Sequence, residues 1–318
     1  MDLFSLTINL ISFLNLEKYS EKIVSLLDPQ KIAILLAFFT VILLFFIIGS
    51  YKIFTNTKKI KNCLKSFFEN QLFILKKIFK DKIFLILAIP ILINFYFIIT
   101  LPVTYDEAYS FINFFDRGIA VSISYYPASN NHVFYSVLSS ILNIFINANS
   151  ILPFRIISSI FFILSLFMIT KIFIINIKNF KNYHYLLISI APMSFVSLYQ
   201  SSLARGYTLL LFLVLLNIFI IGKILKSQNN YNWILWTIIS SLSFYTIPTY
   251  VYTHFIFCII ILIYQKNYLF NLIKYNFFVV IITLFLYLPI VALQGIDFVY
   301  GQGLLQKMNC GDFFYYLK

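Results

Sequence analysis

The feature that most constrains this chain is a series of long apolar runs, separated by short polar or lysine-rich segments. A helix that crosses a bilayer needs about 20 predominantly apolar residues, and several of the runs reach or approach that length. Only 11% of the residues are charged, whereas a soluble domain carries about 25%, so lipid must be the solvent for most of the chain. The predicted spans are 32–50, 83–101, 151–173, 185–199, 204–221, 233–245, 250–264 and 277–293.

The distribution of positive charge predicts how the spans are oriented. The net charge is +13, and most of the excess lies in short segments beside apolar runs. That pattern is typical of topology signals and of contacts with anionic membrane lipids, and it argues against nucleic-acid binding. The lysine-rich segment 51–82, with its interleaved phenylalanines, is predicted to be an amphipathic helix on the cytoplasmic surface. The run 132–146 either crosses or packs as a half-helix; cytoplasmic Lys178 and Lys181 favour the half-helix.

Alternation of these spans divides the chain into three parts. Residues 1–82 hold one extra transmembrane helix and the basic cytoplasmic segment, 83–295 form a transmembrane core, and 296–318 form a short external tail. A long first external loop, 102–131, follows the first core span. We therefore predict an all-α polytopic membrane protein whose core carries a long loop on its external face.

Two adjacent carboxylates, Asp106 and Glu107, follow the first core span. They lie at the outer interface, where ionised groups are costly unless they pair or function. One interpretation is a catalytic site in which a carboxylate acts as general base. The other is a solvated helix start, with Asp106 as the capping residue and Glu107 in the first turn.

Arg205 is one of three arginines in the chain and lies at the outer junction of two spans. A guanidinium there suits a phosphate, because its fork binds two oxygens and it stays charged. Gly206 beside it lets backbone or ligand come close, and Tyr207 is a further candidate for substrate contact. The alternative is an arginine that extends to a lipid headgroup.

Three more candidates lie at the outer ends of predicted helices. Asn131 and His132 begin an apolar helix, where a polar pair binds an anion or a sugar hydroxyl, or simply caps the helix. Tyr245 lies in an outer turn, where its ring stacks on a sugar or lipid chain, or belongs to an aromatic belt. No pair among the cysteines has metal or redox spacing, so no metal site is predicted; they are Cys63, Cys258 and Cys310.

Four motifs occur in an order and spacing that are more specific than any one of them alone. The motifs are Tyr105-Asp106-Glu107-Ala108-Tyr109, Asn130-Asn131-His132-Val133-Phe134-Tyr135, Leu152-Pro153-Phe154-Arg155 and Ala204-Arg205-Gly206-Tyr207-Thr208-Leu209. Over 83–295 the chain thereby resembles the GT-C membrane glycosyltransferases, especially glycosyltransferase family 39, which includes protein O-mannosyltransferases and the aminoarabinose transferases of lipid A. Leu203 departs from the family pattern, in which many relatives carry an acid before the Ala-Arg pair.

The resemblance implies a GT-C-like helix bundle in a bacterial inner membrane, with its active site on the external face. It implies inverting transfer of a sugar from a polyprenyl-phosphate donor to a lipid, glycan or protein acceptor, with no cofactor beyond that lipid-linked donor. Asp106 would accept the acceptor's proton, and Arg205 would hold the leaving phosphate. The alternatives are a secondary transporter or flippase, and a truncated non-catalytic membrane subunit.

Overall fold

A computed structural model describes residues 83–126, 131–176, 188–190, 192–226 and 229–294, with a few isolated positions of the first apolar run. Several predictions therefore lie outside the described residues. They concern the extra N-terminal helix as a whole, the lysine-rich segment, the external tail, and the lysines at 178 and 181.

All regular structure within the described ranges is helical, which confirms the predicted all-α class. A π-helical turn (Phe111–Phe115) follows the second helix, and a 3-10 turn (Lys266–Tyr268) precedes the last. The helices are α1 (Ile83–Thr100), α2 (Tyr105–Ser110), α3 (Ile119–Ser124), α4 (Val133–Ile146), α5 (Leu152–Asn176), α6 (Phe195–Ser202), α7 (Tyr207–Lys226), α8 (Asn230–Thr246), α9 (Tyr250–Tyr264) and α10 (Leu269–Gln294).

Three described helices are long and apolar enough to cross a membrane: Leu152–Asn176, Tyr207–Lys226 and Lys266–Gln294. A fourth candidate is a bent pair, Leu87–Thr100 with Tyr105–Phe115, whose two arms differ in direction by 74°. The helices α4 and α9 are apolar but shorter. These lengths and compositions are those of a helical membrane protein, as the apolar runs predicted.

The segment predicted as the long external loop 102–131 is mostly helical where it is described. Thr104 caps α2: its hydroxyl accepts from the Glu107 amide, and the Glu107 carboxylate accepts from the Thr104 amide at 3.1 Å. The cap is thus Thr104 rather than Asp106. Gly118, with φ of 93°, then turns the chain into α3, a conformation that favours glycine. Both predicted carboxylates therefore belong to a folded helical segment.

The predicted span 185–199 contains a turn in its described part. Residues 188–190 are helical, 192–194 form a turn, and α6 begins at Phe195. Pro192 lacks the amide that a continuous helix needs. Ser194 caps the new helix, because its hydroxyl accepts from the Ser197 amide.

The helix α7 packs against both α5 and α8, and α1 packs against α5 and α6. A buried polar cluster joins α1, α5 and α6. Asn94 on α1 donates to the hydroxyls of Ser201 at 2.7 Å and Ser202 at 3.1 Å, and it accepts from Ser159 on α5 at 2.5 Å. Such contacts hold apolar helices together because a polar group in hydrocarbon has no water to bind. This cluster fixes α1 against the bundle, together with the start of residues 102–126, which we call the outer segment because they were predicted to form the external loop.

We expect Asn94→Leu to lower the free energy of unfolding by about 1 kcal/mol, because polar contacts between membrane helices average about 0.6 and reach about 1.7 kcal/mol. Unfolding of the purified protein by SDS in mixed micelles measures the change. Ile99→Leu on the same helix is the matched control, since Ile99 is exposed. An Asn94→Leu variant as stable as the wild type would contradict the role of the cluster.

Candidate functional site

The site is built on a buried ion pair between Glu107 on α2 and Arg155 on α5. The carboxylate is 0% exposed, and the Arg155 side chain is buried as well. Arg155 donates from Nε to Oε1 at 2.8 Å and from Nη2 to Oε2 at 2.7 Å. Two parallel bonds of this kind are the strongest and most directional contact between an arginine and a carboxylate.

Arg155 also completes the end of α1. Its Nη1 donates to the carbonyls of Ile98 at 3.0 Å and Leu101 at 2.8 Å, and its Nη2 donates to the carbonyl of Pro102 at 2.9 Å. The last carbonyls of a helix have no partner within the helix, and they carry partial negative charge. One guanidinium therefore satisfies the end of α1 and the start of the bent outer segment.

Glu107 reaches a third part of the chain. Its Oε1 accepts from the amide of Ala204 at 2.8 Å, and its Oε2 accepts from the amide of Thr104. Burial alone would raise the pKa of Glu107, but the bonds from Arg155, Ala204 and Thr104 outweigh it and hold that pKa below its usual value. The carboxylate stays ionised and its oxygens are occupied. This geometry favours a positioning role for Glu107 over the catalytic role that the sequence suggested.

Asp106 presents its carboxylate differently. Its side chain is 56% exposed, whereas the neighbouring Arg205 is buried. Arg205 Nη2 lies 3.8 Å from Asp106 Oδ2, and Nη1 donates to the Asp106 carbonyl and to the Ser110 hydroxyl, both at 3.3 Å. The Nε of Arg205 is buried and has no hydrogen-bond partner within the described part of the chain. An accessible carboxylate thus lies beside a buried guanidinium with donor capacity left over.

Three side chains hold the backbone that carries Arg205, and we call residues 203–206 the Arg205 segment. Glu107 accepts from the amide of Ala204, Ser158 on α5 donates to the carbonyl of Arg205 at 3.2 Å, and His132 Nδ1 accepts from the amide of Gly206 at 2.8 Å. The segment consists of bends and a turn rather than a helix, so its backbone groups need these partners. The sequence motif Ala-Arg-Gly-Tyr therefore marks a loop fixed from three directions.

Tyr207 follows the Arg205 segment and joins the same surface. Its ring stands edge-on to the His132 ring at 4.8 Å, and the Arg205 guanidinium lies 5.7 Å from its ring centre. Tyr207 remains 39% exposed, so a ligand beside Arg205 can reach it. Of the predicted site residues, the structure therefore brings together Asp106, Glu107, Arg205, His132 and Tyr207.

The other two predicted site residues are engaged in packing. Asn131 donates to the carbonyls of Tyr125 and Ser122 and accepts from the Ser136 hydroxyl, so its amide joins α3 to α4. Tyr245 is buried and packs edge-on against Tyr287 at 5.5 Å. Both side chains stabilise the outer segment against the bundle, and neither presents a free surface to a sugar.

A largely apolar groove of about 330 Å³ begins at Tyr207 and runs between α5, α6 and α7. Phe162, Leu166 and Leu211 are among its lining residues. Gln200 and Thr208 also line it, and each has one buried oxygen without a hydrogen-bond partner in the described ranges. A groove of this composition suits a hydrocarbon chain whose polar end lies near Arg205.

The partner of Arg155 and the apolar groove were not predicted from the sequence. Arg155 belongs to the Leu152-Pro153-Phe154-Arg155 motif, but the sequence analysis assigned it no partner. A charge inside an apolar run needs a counter-charge, and that rule was the available signal. The groove left no sequence signal, because its walls are formed by side chains of three separate helices. Within the described residues, no group of three His, Cys, Asp or Glu residues is placed to hold a metal ion.

Comparison with known proteins adds no relative to this picture. No family model matches the chain, and neither a curated protein nor a solved structure does so. The function is therefore argued from the geometry of the site.

We expect Glu107→Gln to lower the free energy of unfolding by about 3–5 kcal/mol, because it leaves the Arg155 charge buried without a counter-charge. Asp106→Asn is the matched control: it is the adjacent carboxylate, it is largely exposed, and its loss should change stability by less than about 1 kcal/mol. Unfolding by SDS in mixed micelles compares the two variants. Equal effects of the two substitutions would contradict the assignment of the structural carboxylate to Glu107.

Proposed function

We propose that this protein is a polytopic membrane glycosyltransferase of the GT-C type. It transfers a sugar from a polyprenyl-phosphate donor to a lipid, glycan or protein acceptor on the external face of the membrane, with inversion at the anomeric carbon. The observation that carries the proposal is the pairing of an exposed Asp106 carboxylate with the buried Arg205 guanidinium at the outer end of an apolar helix bundle.

Each of the two groups has one role in the reaction. The acceptor hydroxyl loses its proton to Asp106 as its oxygen attacks the anomeric carbon, which is general-base catalysis. The bond between that carbon and the phosphate oxygen breaks, and its electron pair leaves with the lipid phosphate. Arg205 binds the phosphate and stabilises the charge that develops on it. Its Nε, which has no hydrogen-bond partner among the described residues, supplies a donor for this contact.

The surroundings of the pair support a lipid-linked donor. The groove that Tyr207 helps to line is of a composition that accepts an isoprenoid chain, and the Tyr207 ring centre lies 5.7 Å from the Arg205 guanidinium that would bind the phosphate. Tyr207 is half-exposed between groove and guanidinium, so its ring can pack on the sugar or the first isoprene unit. A phosphate on Arg205 would lie close to Asp106, because Arg205 Nη2 is 3.8 Å from Asp106 Oδ2.

The second candidate function is a transporter or flippase for a lipid-linked substrate. The polar groups inside the bundle support this alternative. Asn217 on α7 is fully buried and donates to the Tyr250 hydroxyl at 3.0 Å. Transporters place such groups at mid-membrane to bind their substrates. Here Asn217 is satisfied by neighbouring side chains, and the described carboxylates all lie in 105–116. The transferase therefore accounts better for where the charges are.

We expect Asp106→Asn to reduce sugar transfer by about 100-fold or more, the range expected for loss of a general base. The assay uses purified protein, a panel of polyprenyl-phosphate sugars and a membrane extract as acceptor. Asp116→Asn is the matched control, because Asp116 is an exposed acid of the same outer segment. Transfer at the wild-type rate by Asp106→Asn would refute the catalytic assignment. Absence of transfer by the wild type from every donor would favour the transporter instead.

A further inference from the structure

The histidine that holds the Arg205 segment does so through a ring nitrogen that has to be unprotonated. His132 Nδ1 accepts from the Gly206 amide at 2.8 Å. A nitrogen that accepts carries no hydrogen, so the neutral ring bears its proton on Nε2. A doubly protonated ring would point an N–H at the N–H of Gly206, and the bond would be lost.

The contact between His132 and Gly206 is fitted closely. A Cβ placed on Gly206 would lie 2.8 Å from His132 Cβ and 2.9 Å from Nδ1, closer than real Cβ atoms approach. The ring therefore packs on bare backbone, and its other side meets the edge of Tyr207. The buried His132 ring therefore both packs against the Gly206 backbone and accepts its hydrogen bond.

The charges around His132 oppose its protonation. Burial and the positive charge of Arg205 hold the pKa of the imidazole well below its usual value. From the Arg205 segment and α7, Arg205 and Tyr207 face it, and Asp106 of α2 lies beyond Arg205. The helix α3 contributes no titratable side chain. Three tyrosines pack beside Val133, the residue that follows His132: Tyr126 after α3, Tyr245 on α8 and Tyr287 on α10.

We propose that His132 is a positioning residue whose neutral ring holds Arg205 opposite Asp106, and that mild acid weakens this hold because the released ring takes up a proton. The functional consequence rests on the proposed transferase activity, whereas the release itself does not. Of the three side chains that hold the segment, Glu107 stays ionised and Ser158 does not titrate. His132 is therefore the pH-sensitive one.

The direction of the pH effect follows from proton linkage. A released His132 takes up a proton below about pH 6.5, whereas the clamped ring does so only at a lower pH. Between those two values the released form binds more protons, so the clamp weakens as the pH falls. The open fraction should rise by up to about tenfold for each pH unit in that window. Above pH 6.5 the clamp should not depend on pH.

Hydrogen exchange of the Gly206 amide tests this inference directly. Exchange of peptides spanning 203–210 is followed by mass spectrometry in nanodiscs at pH 7.5 and 5.5, after correction for the intrinsic pH dependence of exchange. We expect several-fold weaker protection at pH 5.5 in the wild type. Protection that is the same at both pH values would overturn the proposal.

Two variants separate the acceptor role from simple packing. His132→Asn keeps an oxygen acceptor near the position of Nδ1 and does not titrate, so its protection should be independent of pH. Loss of protection in acid by His132→Asn would overturn the proposal. Gly206→Ala introduces the Cβ that the contact excludes, so its protection should be weak at both pH values. If the residue 206 amide of Gly206→Ala were as protected as in the wild type, the close contact between His132 and Gly206 would be contradicted.

Sugar transfer gives an independent functional readout. In the wild type, donor KM should rise between pH 6.5 and 5.5 by the factor by which the clamped fraction falls in the exchange experiment, and this rise should be absent in His132→Asn. A rise of the same size in both proteins would overturn the positioning role. If the wild type transfers no sugar at any pH, the transferase assignment fails, and the exchange result still decides whether His132 is the clamp.

Discussion

The buried pair of Glu107 and Arg155 is the interaction on which the outer half of this protein depends. Two charges removed from water are strongly destabilising unless their geometry is nearly ideal and every other hydrogen-bonding group is satisfied. Here the Arg155 guanidinium donates to the Glu107 carboxylate and to the carbonyls at the end of α1. The carboxylate also accepts from two backbone amides. The pair is therefore a junction of the end of α1, the start of α2, the start of α5 and the Arg205 segment.

That junction explains how a chain can leave an apolar helix and turn by 74° into another helical segment. The turn at 101–104 would expose the unpaired ends of two helices at the edge of the apolar region. Arg155 satisfies the carbonyls on one side, and the capping box of Thr104 and Glu107 satisfies the amides on the other. The same bonds fix Ala204, and the next residue along the chain is Arg205. The contacts of Arg155 and Glu107 that stabilise the bend therefore also position the candidate catalytic groups.

The sequence predicted the long helices well and the outer segment poorly. Apolar length alone anticipated 151–173, 204–221 and 250–264, because a span in lipid has to satisfy its backbone as a helix. The segment 102–131 is short and mixed in composition, so its helices depend on caps and tertiary contacts. Thr104 and Glu107 match the capping-box pattern, so the sequence held a signal for a helix that starts after Thr104, although Asp106 was predicted as the cap.

The candidate site was predictable only in part for a related reason. Topology placed Asp106 and Arg205 on one face, and their side chains do lie 3.8 Å apart. Adjacent carboxylates cannot be told apart from composition, since the difference between Asp106 and Glu107 is made by Arg155 and Ala204 from distant parts of the chain. Tyr245 and Asn131 became packing residues because α10 and α3 cover them, and no local pattern reveals such a neighbour.

The affinity of the site for polyprenyl phosphate tests the central claim most directly. Binding to purified protein in nanodiscs can be measured by native mass spectrometry for the wild type, for Arg205→Gln and for Arg117→Gln, which removes another arginine of the region predicted to be external. If Arg205 binds the lipid phosphate, Arg205→Gln should weaken binding by about 10- to 100-fold, the usual range for hydrogen bonds to a charged group, and Arg117→Gln should leave it unchanged. Equal affinity in all three proteins would contradict the account.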